Sequence, residues 1–125
     1  MLKIGEKMEK KQLEALVRKE QLSSSELETL LRSREDGLID FELIDIREPF
    51  EYEMEHIVGT NKLLPTTQFQ TWAGDILESD KNIILYCRTG NRTGQVQHIL
   101  KQYGKSVPHL TDGIVAFRGE TKSGR

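Results

Sequence analysis

The chain contains a single cysteine in 125 residues. It therefore has no internal disulfide, and a lone thiol suits a reducing compartment. Long hydrophobic runs are missing as well: no stretch approaches the roughly 20 apolar residues that span a bilayer. The opening MLKIGEKMEKKQ has lysines but no apolar segment behind them. No secretory signal is read there, and the expected location is cytoplasmic. Charge of one sign is not in excess either. With 18 basic and 20 acidic side chains the net charge is −2, which gives no general attraction to nucleic acid or to an anionic membrane. Candidate metal ligands are sparse: Cys87, His56, His98 and His109 are dispersed and lack ligand spacing, so neither a metal nor a cofactor is expected. There is no internal repeat and no low-complexity stretch.

What is present is ordinary globular material. Hydrophobic residues make up 36% and charged residues 30%, too apolar for disorder and enough for one core. The chain reads as a domain over residues 21–125 preceded by an N-terminal extension over residues 1–20. Leu13, Leu16 and Val17 recur at helical spacing, which predicts a helix over 6–20 with a narrow apolar stripe. That stripe is expected to pack on the side of the domain, with contact to a partner as the alternative; the oligomeric state is left open.

Ser23, Ser24 and Ser25 break the pattern and offer an N-cap. Leu27, Leu30 and Leu31 then define a second helix that ends at Asp36-Gly37. The run FELIDI at 41–46 predicts a buried strand. Pro49 among acids predicts a helix N-terminus, where the macrodipole favours negative charge. Residues 62–64 predict a short strand stopped by Pro65. Thr66 or Thr67 is the expected cap of the next helix, in which Phe69, Trp72, Ile76 and Leu77 share a face and Trp72 belongs to the core. The most apolar strand is NIILYC at 82–87. The following helix carries Val96, Ile99, Leu100 and Tyr103 and stops at Gly104, and a last strand covers 107–110. Strands alternating with helices predict an α/β fold with a mainly parallel central sheet and helices on both faces.

In such a sheet ligands bind where strands end and helices begin. Cys87 closes the most apolar strand, and Arg88, Thr89, Gly90, Asn91, Arg92 and Thr93 separate it from the next helix. Gly90 can adopt backbone angles closed to other residues. Successive N–H groups in such a turn make an anion-binding nest, and the helix N-terminus adds partial positive charge. The thiolate is the nucleophilic form of cysteine, and helix N-termini and neighbouring arginines favour it. No histidine is an obvious partner. The pattern predicts a Cys87 thiolate acting on an anionic or sulfur-bearing substrate, rather than a cysteine that merely fills the core. Cysteine-dependent phosphatases place five residues between cysteine and arginine. Here four lie between Cys87 and Arg92, and Thr93 takes the phosphatase arginine's place. The shorter loop closes a tighter ring of amides and disfavours phosphatase or arsenate-reductase chemistry.

Over residues 22–119 the sequence resembles the rhodanese family of sulfurtransferases. The segments that carry the likeness are Asp45-Ile46-Arg47-Glu48-Pro49 with Glu51 and Tyr52, then His56-Ile57-Val58-Gly59, the strand to Pro65, the loop from Tyr86 to Thr93, and Asp112-Gly113. Glu55, Asp112 and Phe117 depart from the residues common there. The resemblance implies a double displacement. Cys87 takes the outer sulfur of a donor such as thiosulfate as a persulfide, and cyanide, a thiol or a protein acceptor removes it. It further implies that the amides of residues 88–93 stabilise the persulfide. Arg47 is the arginine beside the site, and Asp45 anchors backbone or that arginine. A non-catalytic, rhodanese-like binding module is the competing reading, disfavoured because such a module has no need of the thiolate.

Overall fold

The computed structural model describes residues 9–124. The elements run α1 (Lys10–Leu16), β1 (Gln21–Leu22), α2 (Ser24–Glu35), β2 (Glu42–Asp45), α3 (Pro49–Met54), β3 (His56–Ile57), β4 (Lys62–Leu63), α4 (Phe69–Glu78), β5 (Ile83–Tyr86), α5 (Asn91–Gln102), β6 (His109–Leu110) and β7 (Thr121–Lys122), with 3₁₀ turns at Thr66–Gln68 and Ile114–Ala116. Five strands form a wholly parallel sheet in the order β1-β6-β5-β2-β4. A small antiparallel pair, β3 with β7, stands apart from it.

The two central strands are apolar on both sides, as burial beneath helices on both faces requires. Leu43 of β2 and Ile84 and Tyr86 of β5 pack with Leu13, Leu27 and Leu30, placing α1 and α2 on one face. Ile44 of β2 and Ile83 and Leu85 of β5 pack with Trp72, Ile76, Val96 and Leu100, placing α4 and α5 on the other. The period-two alternation of side chains along a strand assigns them this way. The expected α/β architecture is the one observed.

Local signals account for most boundaries. Ser23 caps α2 in a reciprocal capping box, its hydroxyl accepting from Glu26 N while the Glu26 carboxylate accepts from Ser23 N. Pro49 opens α3 at a position where no backbone donor is needed. The helix expected over 6–20 is shorter: α1 ends at Leu16, and residues 6–8, with the rest of 1–8, lie outside the described residues. Leu13 and Val17 are both buried against α2 and the sheet.

Other expectations need correction. Neither Thr66 nor Thr67 caps α4. Both belong to a 3₁₀ turn, Gln68 takes the cap position without a side-chain bond, and the Thr67 hydroxyl donates to Glu48 instead. On α5 the inward residues include Thr93 and Gln97, while Ile99 and Tyr103 face outward. Thr93 bonds to His109, and Gln97 Nε2 donates to the Glu20 and Val107 carbonyls at 2.9 and 2.7 Å, which compensates the burial of both. Among the described residues, no helix is long and apolar enough to cross a membrane.

Candidate active site

The C-terminal ends of β2, β5 and β6 converge on one edge of the sheet, and each contributes a turn. β5 ends at Tyr86, so Cys87 is the first residue beyond the strand. Its carbonyl still accepts from Ile114 N at 2.9 Å, and the Arg88 carbonyl accepts from Val115 N at 3.2 Å. The turn after β6 is thereby fastened to the start of the cysteine loop. Gly113 makes that contact possible: a Cβ there would lie 2.1 Å from the Arg88 carbonyl oxygen.

The loop curls back on the sulfur. Gly90 N donates to Cys87 Sγ at 3.2 Å and Thr93 N donates at 3.4 Å, with Thr93 Oγ1 at 3.5 Å. Gly90 has φ +91° and forms the N-cap of α5, a left-handed conformation that a side chain disfavours. A Cβ on it would stand 1.8 Å from the Thr111 carbonyl oxygen. Two backbone donors at the first turn of a twelve-residue helix thus point at one sulfur atom, an arrangement that suits negative charge there. Cys87 itself is only 1% exposed. The sulfur lies at the base of the loop and not at its rim, because Gly90 and Thr93 close over it.

The loop side chains diverge. Arg88, Thr89 and Asn91 are exposed. Arg92 does not turn into the loop: its guanidinium makes two 2.9 Å bonds to the Glu51 carboxylate. Those bonds hold the Glu51 carboxyl below the usual carboxylate range despite its partial burial, and raise Arg92 above its own. The pair ties α3 to the start of α5.

Arg47, just past β2, is buried with Asp45. The Asp45 carboxylate accepts from Arg47 N at 2.9 Å, Nε at 2.9 Å and Nη2 at 2.7 Å, and Arg47 Nη2 also donates to the Glu55 carbonyl at 2.6 Å. Burial opposes the charge on Arg47, yet the Asp45 bonds prevail and its pKa is raised. The guanidinium carbon also lies 5.6 Å from the centre of the Tyr86 ring. Tyr86 is fully buried. Its hydroxyl accepts from Ile57 N at 3.2 Å and lies 2.8 Å from Thr60 Oγ1, whose proton goes to the Ile57 carbonyl at 2.6 Å. Tyr86 therefore donates to Thr60, which fastens β5 to β3. Burial, with the nearby Asp45 charge, raises the phenol well above its ordinary range.

A groove of about 700 Å³ opens beside the loop, lined by Arg47, Arg88, Phe50, Met54, Val115 and Lys122 among others. Phe50 and Met54 are 65% and 72% exposed, so its apolar wall is presented to solvent beside two cations, Arg88 and Lys122, that form no ion pair among the described residues.

The structure also brings in residues that the sequence did not single out. His109 Nδ1 lies 2.7 Å from Thr93 Oγ1, and His109 Nε2 lies 3.1 Å from Gln21 Oε1. Parallel pairing of β6 with β5 sets His109 opposite Leu85, two residues before Cys87. No short-range motif announces this. The one available signal was a histidine within a predicted apolar strand. His56 plays a different part: its Nδ1 lies 2.9 Å from the Tyr52 carbonyl and its ring stacks on Tyr52 at 3.7 Å.

A three-turn edge with a cysteine beneath two backbone amides, on a five-stranded parallel sheet, defines a class that comparison with known proteins names. The family model described as the rhodanese-like domain matches residues 26–120, and the chain belongs to that family. A chloroplastic protein of Arabidopsis thaliana, rhodanese-like/PpiC domain-containing protein 12, is 36% identical over 111 residues, covering 84% of this chain and 37% of that protein. The thiosulfate:glutathione sulfurtransferase of Saccharomyces cerevisiae is 32% identical over 82 residues, covering 57% of this chain and 59% of that one. The chain thus spans less than two thirds of the length of these relatives. Among solved structures, a rhodanese-like domain protein from Staphylococcus aureus shares the fold with a TM-score of 0.69 at 18% identity, covering 86% of this chain and all of that one.

Proposed function

We infer that this chain is a sulfurtransferase that carries sulfane sulfur on Cys87 as a persulfide. The observation that carries this reading is the pair of backbone N–H groups, from Gly90 and Thr93, aimed at Cys87 Sγ. Such donors stabilise negative charge on sulfur without needing to move during the reaction. Membership of the rhodanese-like family and similarity to a yeast protein named for sulfur transfer from thiosulfate support it.

In the proposed cycle Cys87 Sγ attacks the outer sulfur of thiosulfate. An S–S bond forms to Cys87, and sulfite departs with the electron pair of the bond that breaks. An acceptor nucleophile, cyanide or a thiol, then attacks the outer persulfide sulfur and Cys87 leaves as thiolate. The donor enters by the groove, where Arg88 and Lys122 attract an anion and Phe50, Met54 and Val115 contact the body of a thiol or a protein acceptor. No metal or cofactor takes part in this scheme. Arg47 and Asp45 support the site by fixing the turn after β2.

Intact mass after incubation with thiosulfate, without reductant, tests the reading. A gain of one sulfur atom that cyanide removes, and that Cys87→Ser abolishes, is the expected result. Failure of the wild-type chain to take up sulfur from thiosulfate or from a low-molecular-weight persulfide would refute it.

A further inference from the structure

We propose that His109 is a positioning residue that receives the Cys87 thiol proton through the Thr93 hydroxyl. This assignment rests on reading Cys87 as the nucleophile. It comes from three side chains of three different elements that lie in one buried line: Cys87 Sγ, Thr93 Oγ1 at 3.5 Å, and His109 Nδ1 a further 2.7 Å on.

The direction of each proton follows from the end of the line. Gln21 Oε1 faces His109 Nε2 at 3.1 Å and also accepts from the Thr111 hydroxyl at 2.8 Å. An amide oxygen has no proton to give, so Nε2 carries the imidazole hydrogen and Nδ1 is left as acceptor. The Thr93 hydroxyl has one proton and three neighbours. It goes to the nearest, His109 Nδ1, in preference to the Gly90 carbonyl at 3.3 Å. The lone pairs of Thr93 then face the thiol. The line is set as donor thiol, relay hydroxyl and acceptor imidazole, the geometry required of base catalysis through one bridging group.

The step balances. As Cys87 Sγ bonds to the outer sulfur of thiosulfate, its proton passes to Thr93 Oγ1, and the Thr93 proton passes to His109 Nδ1. The products are a persulfide anion, sulfite and an imidazolium. Afterwards the two bonds linking Cys87, Thr93 and His109 are reversed, and the Thr93 hydroxyl donates toward Cys87 Sγ, the inner sulfur bonded to the anionic outer one. When the acceptor removes the outer sulfur, the returning thiolate recovers its proton by the same route.

His109 is 4% exposed, and burial lowers its pKa, so the ring is neutral and available as a base at neutral pH. Both of its side-chain partners are uncharged. The titratable groups on the elements around it are Cys87, reached through Thr93, Tyr86 on β5, Arg92, His98 and Lys101 on α5, and Glu20 before β1; Arg92 pairs with Glu51 at 2.9 Å and Lys101 with Glu20 at 3.0 Å.

The test is the pH dependence of Cys87 alkylation by iodoacetamide, which needs no sulfur donor. The wild-type rate is expected to stay level through neutrality and to fall only at acid pH, where His109 takes a proton. In His109→Asn the side chain can still accept from Thr93 but cannot hold the proton. Its rate should begin to fall at a higher pH than that of the wild type, and Thr93→Val should match it. Combining the two substitutions should add nothing. A fall that begins at the wild-type pH in either single variant, or in both, overturns the proposal. The wild-type chain alone supplies a second reading: two protons move with the attack, so the reaction must slow in deuterated water, and an unchanged rate also overturns it. Sulfur uptake from thiosulfate, followed by mass in parallel, separates this outcome from the sulfurtransferase reading itself.

Discussion

Gly90 and Gly104 stand at opposite ends of α5 and offer a matched pair of substitutions. Their φ angles are nearly equal, +91° and +88°, so alanine at either meets the same conformational penalty, about 1–2 kcal/mol for a Cβ in left-handed backbone. The surroundings differ. A Cβ at Gly104 meets nothing within 4 Å, whereas at Gly90 it would sit 1.8 Å from the Thr111 carbonyl oxygen and 2.8 Å from its carbon. That neighbour is backbone and cannot rotate away, so the turn after β6 or the cysteine loop has to shift. Forced overpacking of this kind costs a further ~1–3 kcal/mol. Gly104→Ala should therefore destabilise by about 1–2 kcal/mol and Gly90→Ala by about 2–5 kcal/mol. Urea unfolding with a shared m-value measures the difference. Because Gly90 N donates to Cys87 Sγ, Gly90→Ala should also slow Cys87 alkylation while Gly104→Ala leaves it unchanged. Equal destabilisation by the two substitutions would refute the claim that close backbone approach, and not conformational freedom alone, demands glycine in the loop.

Three further outcomes are expected. Asp45→Asn leaves the Arg47 guanidinium buried without its counter-charge and should cost about 3–5 kcal/mol in urea unfolding. Tyr86→Phe removes the acceptor of the buried Ile57 N–H and should cost about 1–3 kcal/mol by the same assay. Glu51 has a folded pKa below its unfolded value, so its pairing with Arg92 contributes fully above the unfolded value and is lost as pH falls through the folded one. Over that acid window the wild-type chain should lose more stability than Glu51→Gln, by less than about 1 kcal/mol because the pair is partly exposed; parallel slopes of stability against pH would contradict it.

The parts of the fold that were legible in the sequence are those specified locally. The apolar run at 83–86, the serine cap of α2, Pro49 at a helix start and Gly104 past a helix end each act within a few residues. The two-residue strands β1, β3 and β7 were not anticipated, because such short segments become strands only through distant pairing partners. The site divides in the same way. The cysteine loop is contiguous and could be read. The link from Thr93 to His109 depends on which strand lies beside β5, and Arg92 turns to Glu51 because α3 happens to lie alongside. Periodicity groups Ile99 and Tyr103 with Val96 and Leu100 because it counts apolar residues, whereas the chain buries Thr93 and Gln97 by giving each hydrogen-bond partners.

Both margins of the central sheet are formed by strands of two residues, β1 and β4. A row of unpaired backbone groups is what allows one sheet to recruit strands from another, and the hazard grows with its length. Here each margin offers only a stub, and Lys62 puts a charged side chain on one of them. A domain bordered in this way can be crowded against copies of itself or joined end to end with unrelated domains with little risk of strand exchange. That property suits a fold that occupies a minor share of a longer relative such as the chloroplastic protein.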